Sequence, residues 1–369
     1  MDVERIGILS LSISGSAIAS YVSNSEIGQY TDVFCLNTPD DIAIDFQKIT
    51  APLKPTVSRL FEEYSQLIMI MPVGVAFRLL ADVVSSKYED PAVVCIDDGG
   101  NYVISMLSGH IGGADALSAK VARIIKAQPI ITSSSYALNK ISVDLLGRDF
   151  GWKIDCSSKI VTTVSSAVIN NKPIAVFQDV GDRSWTLNDS LDYSNLTYYD
   201  SLEEFQRCGT PNRIVITDLL EPNVGRLEQD QSFNTVLVRP PTLHVGIGCR
   251  KDVDQTDLFD FLLEVLSNHN LSIKSVCSIS TITLKKDEIA IQHIANTLSV
   301  PLKIYSPTEI EELFNESSLY STLLTRSENP KRLIGVWGVS EPAAILAAGN
   351  GELIVKKHKS KDATIAVAR

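Results

Sequence analysis

The chain of 369 residues holds five histidines, and one of them, His110, sits among residue types that are costly unless used. Its segment reads Ser108-Gly109-His110-Ile111-Gly112-Gly113-Ala114-Asp115. Clustered glycines let a backbone take positive φ and approach a ligand closely. The run Tyr102–Leu107 before the segment reads as a strand, and Ala114–Ile125 after it reads as a helix. A helix start offers unpaired N–H groups and partial positive charge to an anion. An imidazole titrates near neutrality and can serve there as acid or base. His110 is therefore the candidate catalytic group, with Ser108, Gly109, Gly112 and Gly113 as its ligand cradle. The plainer alternative is a tight strand-to-helix turn carrying a solvated histidine. The GxGxxG order is absent, so this is not the dinucleotide fingerprint.

Three further segments draw the eye. Met71-Pro72-Val73-Gly74-Val75-Ala76-Phe77-Arg78 passes from a strand end through a Pro-x-Gly turn into a helix. Arg78 falls in its first turns, where a guanidinium can hold a carboxylate through two parallel bonds. Nearby Asp97-Asp98-Gly99-Gly100 reads first as a strand-to-strand turn. Gly246-Ile247-Gly248-Cys249-Arg250-Lys251 closes a strand, and ligands gather at the carboxyl ends of strands in α/β sheets. Two glycines followed by Arg250 and Lys251 suggest an anion cradle, while Cys249 reads as a packed thiol rather than a nucleophile. In Gly338–Gly349, Ser340 suits a helix N-cap and Glu341-Pro342 its first turn, which already accounts for Glu341 structurally. The run Lys356-Lys357-His358-Lys359-Ser360-Lys361 is a local positive patch or an ordinary solvated face.

The elements that must position these residues alternate. Strands are expected at Ile6–Leu11, Asp32–Leu36, Leu67–Met71, Ala92–Asp97 and Pro129–Thr132, with helices at Thr56–Glu63 and Gly74–Val84. Alternation of this kind predicts a mostly parallel sheet covered on both faces. Residues 135–239 are more polar, with a loop-rich stretch at Asp179–Asn195, strands at Pro173–Gln178, Arg213–Thr217 and Thr235–Val238, and a helix at Ser157–Asn170. Pro240-Pro241 is the best linker. Strands at His244–Gly248, Ser275–Ile279 and Lys303–Tyr305 then alternate with helices at Gln255–Asn268, Glu288–Leu298 and Thr308–Phe314, the last opened by a threonine cap. The expected fold is α/β: two mostly parallel-sheet lobes, 1–134 and 240–369, flanking a smaller α/β middle lobe, 135–239. At roughly 150 residues per domain, the length suits two or three.

Composition narrows the function. The net charge of −11 disfavours general binding to nucleic acid or an anionic membrane, though a local basic pocket can still hold an anionic small molecule. No apolar run approaches the roughly 20 residues that span a bilayer, and Met1–Arg5 leads into a first strand rather than a signal peptide. Six cysteines lack CxxC spacing, as expected of reduced, packed thiols in the cytoplasm.

In order and content these segments resemble the cobalamin biosynthesis protein G family, the cobalt-precorrin-5A hydrolases. The likeness covers Met71 to about Trp152, including Asp90-Pro91-Ala92-Val93-Val94, Leu107–Ala114 and Pro129-Ile130-Ile131-Thr132, and Val245 to the end, including Leu284-Lys285-Lys286-Asp287-Glu288. The middle resembles the family in length and position alone. Two positions depart from the family pattern: Asp115 stands where asparagine is common, and Asp252 where glycine is common.

The resemblance implies opening of a δ-lactone on a cobalt-containing contracted tetrapyrrole, with the two-carbon unit leaving as acetaldehyde, in the oxygen-independent route to vitamin B12. It implies His110 as base or acid, Gly112-Gly113 N–H groups as oxyanion donors, and Glu341 orienting water or a proton, with Ser340 beside it. Arg78, Arg250, Lys251, Lys285, Lys356 and Lys359 would meet the acetate and propionate arms. The cobalt arrives on the substrate, so no protein-bound cofactor or metal is expected. The expected partner is that small molecule, with no nucleic acid and no membrane; a homodimer and transient contact with neighbouring pathway enzymes stay open. Two other readings remain at this point: a non-catalytic protein that binds and hands over cobalt tetrapyrroles, and a phosphate- or nucleotide-binding enzyme, weakened by the lack of a P-loop lysine.

Overall fold

The computed structural model describes residues 5–39, 45–87, 89–222, 233–315 and 317–369, so the Met1–Glu4 lead lies outside the described residues. They form two compact units, Met1–Leu145 with Ser190–Asp192, and Leu146–Asp189 with Tyr193–Arg369.

Among its described residues the first unit holds a seven-stranded sheet. Its strands are β1 (Ile6–Ser10), β2 (Thr31–Cys35), β3 (Gln47–Lys48), β4 (Gln66–Ile70), β5 (Ala92–Ile96), β6 (Tyr102–Leu107) and β7 (Gln128–Ile130), in the order β3-β2-β1-β4-β5-β6-β7. Helices α1 (Ile13–Ser23), α2 (Leu53–Glu63), α3 (Val73–Leu80), α4 (Ala114–Ile125) and α5 (Ser134–Ala137) accompany them. Both faces are buried. Ile8, Ile68, Ile70, Val94 and Ile96 pack on the side of α1 and α4, while Leu9, Leu67, Met69, Val93 and Cys95 pack on the side of α2 and α3. This double burial is why the strands read as continuous apolar runs rather than alternating ones.

The sheet reverses once. Strands β1 to β5 are parallel, β6 runs antiparallel to β5, and β7 follows β6. The cause is the short Asp97–Asn101 connection, far shorter than the dozen or so residues a parallel crossover needs. Asp97 takes the N–H groups of Asn101 at 2.8 Å and Tyr102 at 2.7 Å, so its carboxylate belongs to the turn. The carboxyl ends of β6 and β7 therefore lie on the edge that carries the amino ends of β4 and β5. Helix α1 was not anticipated, because its serine-rich stretch has weak propensity; Ser12 caps it by accepting the Gly15 N–H at 2.9 Å.

The second unit holds two five-stranded sheets among its described residues. The first comprises β8 (Lys153–Ile154), β9 (Ile174–Gln178), β10 (Leu196–Tyr199), β11 (Asn212–Ile216) and β12 (Asn234–Arg239), parallel except for edge strand β8, with α6 (Ser158–Ile169) and α7 (Leu202–Arg207). The second comprises β13 (Leu243–Cys249), β14 (Val276–Ile282), β15 (Leu302–Tyr305), β16 (Leu353–Lys359) and β17 (Ala363–Ala368). Its helices are α8 (Gln255–Asn268), α9 (Ile289–Leu298), α10 (Pro307–Glu312), α11 (Glu328–Ile334) and α12 (Ser340–Ala347). Strands β13, β14 and β15 are parallel; β17 is antiparallel to both β13 and β16, and a three-residue turn joins it to β16. The architecture is α/β with mostly parallel sheets.

Pro240-Pro241 lies in a short connection between β12 and β13 inside this unit. Arg239, 1% exposed, donates to Asp155 at 2.9 Å and to the carbonyl of Leu220 at 3.0 Å. Asp155 also takes Lys274 Nζ at 2.6 Å, which ties the two sheets together.

Local expectations are corrected at three places. Helix α10 is capped by Ser306, in a reciprocal capping box with Glu309, rather than by Thr308. Helix α12 begins after Val339, so Ser340 is its first residue and not its cap; the Ser340 hydroxyl is buried without a hydrogen-bond partner. Gly246 and Gly248 form no open cradle. A Cβ on Gly246 would lie 1.9 Å from the Ser340 carbonyl oxygen and 2.7 Å from the Ala344 nitrogen, so the glycine lets α12 lie directly on β13. Replacing Gly246 by alanine is expected to lower unfolding stability by about 3 kcal/mol or more, read by chemical denaturation, because backbone rather than a flexible side chain must give way. A change within about 0.5 kcal/mol, the size of an ordinary surface substitution, would contradict that packing.

Candidate active site

The His110 loop is built to close on itself. Ser108 takes a φ of +56° and donates its hydroxyl to the Asp90 carbonyl at 3.0 Å, pinning the end of β6 to the segment before β5. Gly113 stands at +89°, and a Cβ on Gly112 would fall 2.5 Å from the Ser108 Cβ, so both positions need glycine. The N–H groups of Gly113, Ala114 and Asp115 donate to the carbonyls of His110 at 3.1 Å, Ser108 at 3.2 Å and Gly109 at 3.0 Å. This corrects the expectation that the Gly113 N–H waits for an oxyanion: the loop already uses it.

The chemistry lies in the imidazole. His110 Nδ1 is 3.1 Å from Asp144 Oδ2, and Nε2 is 2.7 Å from Ser135 Oγ. An ionised carboxylate can only accept, so the Nδ1 proton belongs to the bond with Asp144. In neutral His110 that leaves the Nε2 lone pair to accept from Ser135. Ser142 Oγ donates to Ser135 Oγ at 2.9 Å, which directs the Ser135 proton toward His110. Asp115 stands behind, its Oδ2 3.8 Å from Nε2, with its oxygens accepting from Ser105 at 2.6 Å and Ser133 at 2.7 Å.

These contacts set the charges. The hydrogen bond to Asp144 raises the His110 pKa above its usual value; burial opposes this, the Asp144 and Asp115 charges add to it, and Lys87 subtracts. Burial alone would push Asp144 up, yet the His110 hydrogen bond and charge hold it below the usual carboxylate range. The result is an acceptor–imidazole–hydroxyl chain that can take a proton from an oxygen nucleophile and return it to a leaving oxygen.

Ser108, Gly109, Gly112 and Gly113 shape the His110 loop. Ser135 and Asp144 are additions. Nothing in their local sequence singled them out; the sheet reversal brings the carboxyl ends of β6 and β7 to one edge and so puts Ser135 beside His110. Arg78 belongs to α3, which starts at the carboxyl end of β4 on the opposite edge, and it donates to the Gly74 carbonyl of its own helix at 3.0 Å.

The remaining candidates lie in the second unit. Arg250 pairs with Asp362 at 2.8 Å, and Lys251 is exposed beside it. Lys285 pairs with Glu288 at 3.0 Å. Lys356 and Lys359 are exposed on β16. The Cys249 thiol is pushed up to about 11 by burial, as suits a packed thiol. Glu341 is 2% exposed, and its carboxylate accepts from the Thr325 N–H at 2.6 Å, the Thr325 hydroxyl at 3.0 Å and the Lys357 N–H at 2.9 Å. It ties the loop before α11 to β16.

Sequence comparisons match three stretches of the chain to one family. Residues 55–135 match "Cobalamin synthesis G N-terminal", 141–226 match "Cobalamin biosynthesis central region", and 243–368 match "Cobalamin synthesis G C-terminus". A cobalt-precorrin-5A hydrolase of Priestia megaterium is 35% identical over 93% of this chain and 89% of its own length. The chain belongs to the cobalamin biosynthesis protein G family. A second relative named cobalt-precorrin-5A hydrolase, from Salmonella typhimurium, is 28% identical over 84% of this chain and 83% of its own. A solved structure of a cobalamin biosynthesis protein G homolog from Sulfolobus solfataricus is 24% identical, covers 99% of this chain and 97% of its own, and has a TM-score of 0.37.

Asp252 takes a φ of +57°, a backbone that glycine adopts without cost, and donates its N–H to Glu288 at 2.8 Å. Among the described residues no group of three or more His, Cys, Asp or Glu is placed to hold a metal ion, and no helix is long and apolar enough to cross a membrane.

Two predictions follow from this geometry. Asp115→Asn removes one of the charges that raise the His110 pKa, so the pKa falls and the neutral imidazole persists to lower pH. The acidic limb of kcat/KM against pH should move down, and an upward move would contradict the electrostatics. Glu341→Ala leaves two backbone N–H groups without their acceptor and should cost about 2 to 4 kcal/mol of unfolding free energy. Lost turnover with an unchanged unfolding curve would instead give Glu341 a role in chemistry.

Proposed function

We infer that the chain is a hydrolase acting on cobalt-precorrin-5A in cobalamin biosynthesis. The observation that carries this reading is His110, held by Asp144 at one nitrogen and by a serine hydroxyl at the other, inside the glycine-rich loop shared in the resemblance. Support also comes from the two relatives of that name, each aligned over more than four-fifths of the chain.

The reaction proposed is opening of the substrate's δ-lactone, with release of the two-carbon unit as acetaldehyde to give cobalt-precorrin-5B. Ester opening needs a base to activate an oxygen nucleophile and an acid to protonate the departing oxygen. His110 supplies both in turn, with Asp144 stabilising the imidazolium formed between them. The cobalt enters and leaves as part of the substrate, and no protein-bound cofactor takes part in the proposal. Cationic side chains are proposed partners for the substrate's carboxylate arms, at roughly 1 to 3 kcal/mol per well-desolvated contact. The proposed setting is the cytoplasm, with a homodimer and passing contact with neighbouring pathway enzymes as further parts of the reading.

The test is anaerobic incubation with cobalt-precorrin-5A, reading acetaldehyde through a coupled alcohol dehydrogenase and the macrocycle by mass spectrometry. Stoichiometric acetaldehyde is expected, falling by about 10²- to 10⁴-fold in His110→Ala. Tight binding of an unchanged macrocycle would make the protein a hand-over module, and turnover untouched by His110→Ala would remove the imidazole from the chemistry.

A further inference from the structure

We propose that Ser135 is the nucleophile and that the lactone opens through a covalent acyl-serine intermediate rather than by direct attack of water. The proposal deepens the lactone-hydrolase reading and rests on it.

Three observations point to it. First, the His110 Nε2 lone pair, which would receive water's proton, is already directed at Ser135 Oγ at 2.7 Å. Second, that hydroxyl is oriented rather than free to rotate. Ser142 donates into one of its lone pairs at 2.9 Å, leaving its own proton for the imidazole. Third, Ser135 is 4% exposed but sits between exposed Ser134 and Tyr136 on α5, and the His110 side chain keeps 26% of its surface. The serine is sheltered from bulk water while the residues on either side of it are exposed. Nucleophile, base and orienting carboxylate within hydrogen-bond reach in series are the arrangement by which serine is activated on unrelated folds.

The steps balance. Oγ bonds to the lactone carbonyl carbon as its proton passes to Nε2, and the carbonyl electron pair moves to oxygen. Collapse of that oxyanion breaks the ring C–O bond, and the imidazolium gives its proton to the departing alkoxide. The macrocycle is then an ester of Ser135 with a free hydroxyl on the two-carbon unit. Water adds to the ester carbonyl while Nε2 takes its proton. The Oγ–C bond breaks, Oγ regains a proton, and the acetate arm is released. The freed hydroxyl then loses its proton as its C–O bond becomes C=O, the bond from that carbon to the macrocycle breaks with its electron pair staying on the macrocycle, and the two-carbon unit leaves as acetaldehyde; net consumption is one water per lactone.

The experiment uses the full chain and two probes. An alkyl fluorophosphonate, which reports an activated serine without any tetrapyrrole, is expected to modify Ser135, as read by peptide mass spectrometry. Labelling should be lost in Ser135→Ala and His110→Ala. With cobalt-precorrin-5A, Ser135→Ala is expected to lose at least about a thousandfold in turnover while macrocycle binding is retained. Ser135→Cys, acid-quenched, should carry a thioester adding the full mass of the substrate. Circular dichroism of each variant separates a folding defect from a chemical one. If folded Ser135→Ala turns over within about tenfold of wild type, water attacks directly and the proposal is overturned. If the fluorophosphonate labels Ser135 but wild type leaves cobalt-precorrin-5A unchanged, the nucleophile stands and the substrate reading falls.

Discussion

A carboxylate accepts hydrogen bonds and does not donate them, and the first unit is organised around that fact at Asp144. Its contact with His110 Nδ1 assigns the ring proton to that nitrogen, and the lone pair at Nε2 follows. Everything else in the site answers to that lone pair. Ser135 points its proton at it, Ser142 holds Ser135 in that orientation, and Asp115 adds negative charge behind it. The same contacts explain the opposed titrations, with His110 moved up and Asp144 moved down. The pair is more stable as imidazolium and carboxylate, the charge state that the proposed lactone opening passes through.

Such a chain has to be assembled from three separate stretches of sequence, and the sheet reversal makes this possible. The tight turn held by Asp97 turns β6 against β5, and β7 then follows β6. The two carboxyl ends deliver His110 and Ser135 to one edge, in keeping with the tendency of α/β sheets to gather ligands at strand carboxyl ends. A continued parallel sheet would have sent this loop to the other edge, where α3 and Arg78 begin.

Much of this was legible in the sequence for a physical reason. Doubly buried strands leave unbroken apolar runs, so β4, β5 and β9 were readable to within a residue or two, and α8 in full. His110 was legible because glycines crowd it. Ser135 and Asp144 were not, since a serine after a strand and an aspartate in a short turn have ordinary structural uses, and only tertiary contact gives them another. Helix α1 escaped because small serine-rich residues hide helical periodicity and serve close packing instead. Gly246 misled in the opposite direction: a glycine that admits a helix backbone and one that admits a ligand look alike until the neighbour is seen. Ser340 was misplaced by one residue, because Val339 occupies the cap position without a side-chain bond.

The central claim is the proton inventory of His110, and nitrogen-15 NMR of the selectively labelled protein reads it directly. The account predicts a neutral form protonated at Nδ1 with a bare Nε2, and a pKa above that of an ordinary histidine. A neutral form protonated at Nε2 would contradict it, because Ser135 would then have no base to receive its proton, and a pKa below the ordinary value would contradict the arrangement of charges around the ring.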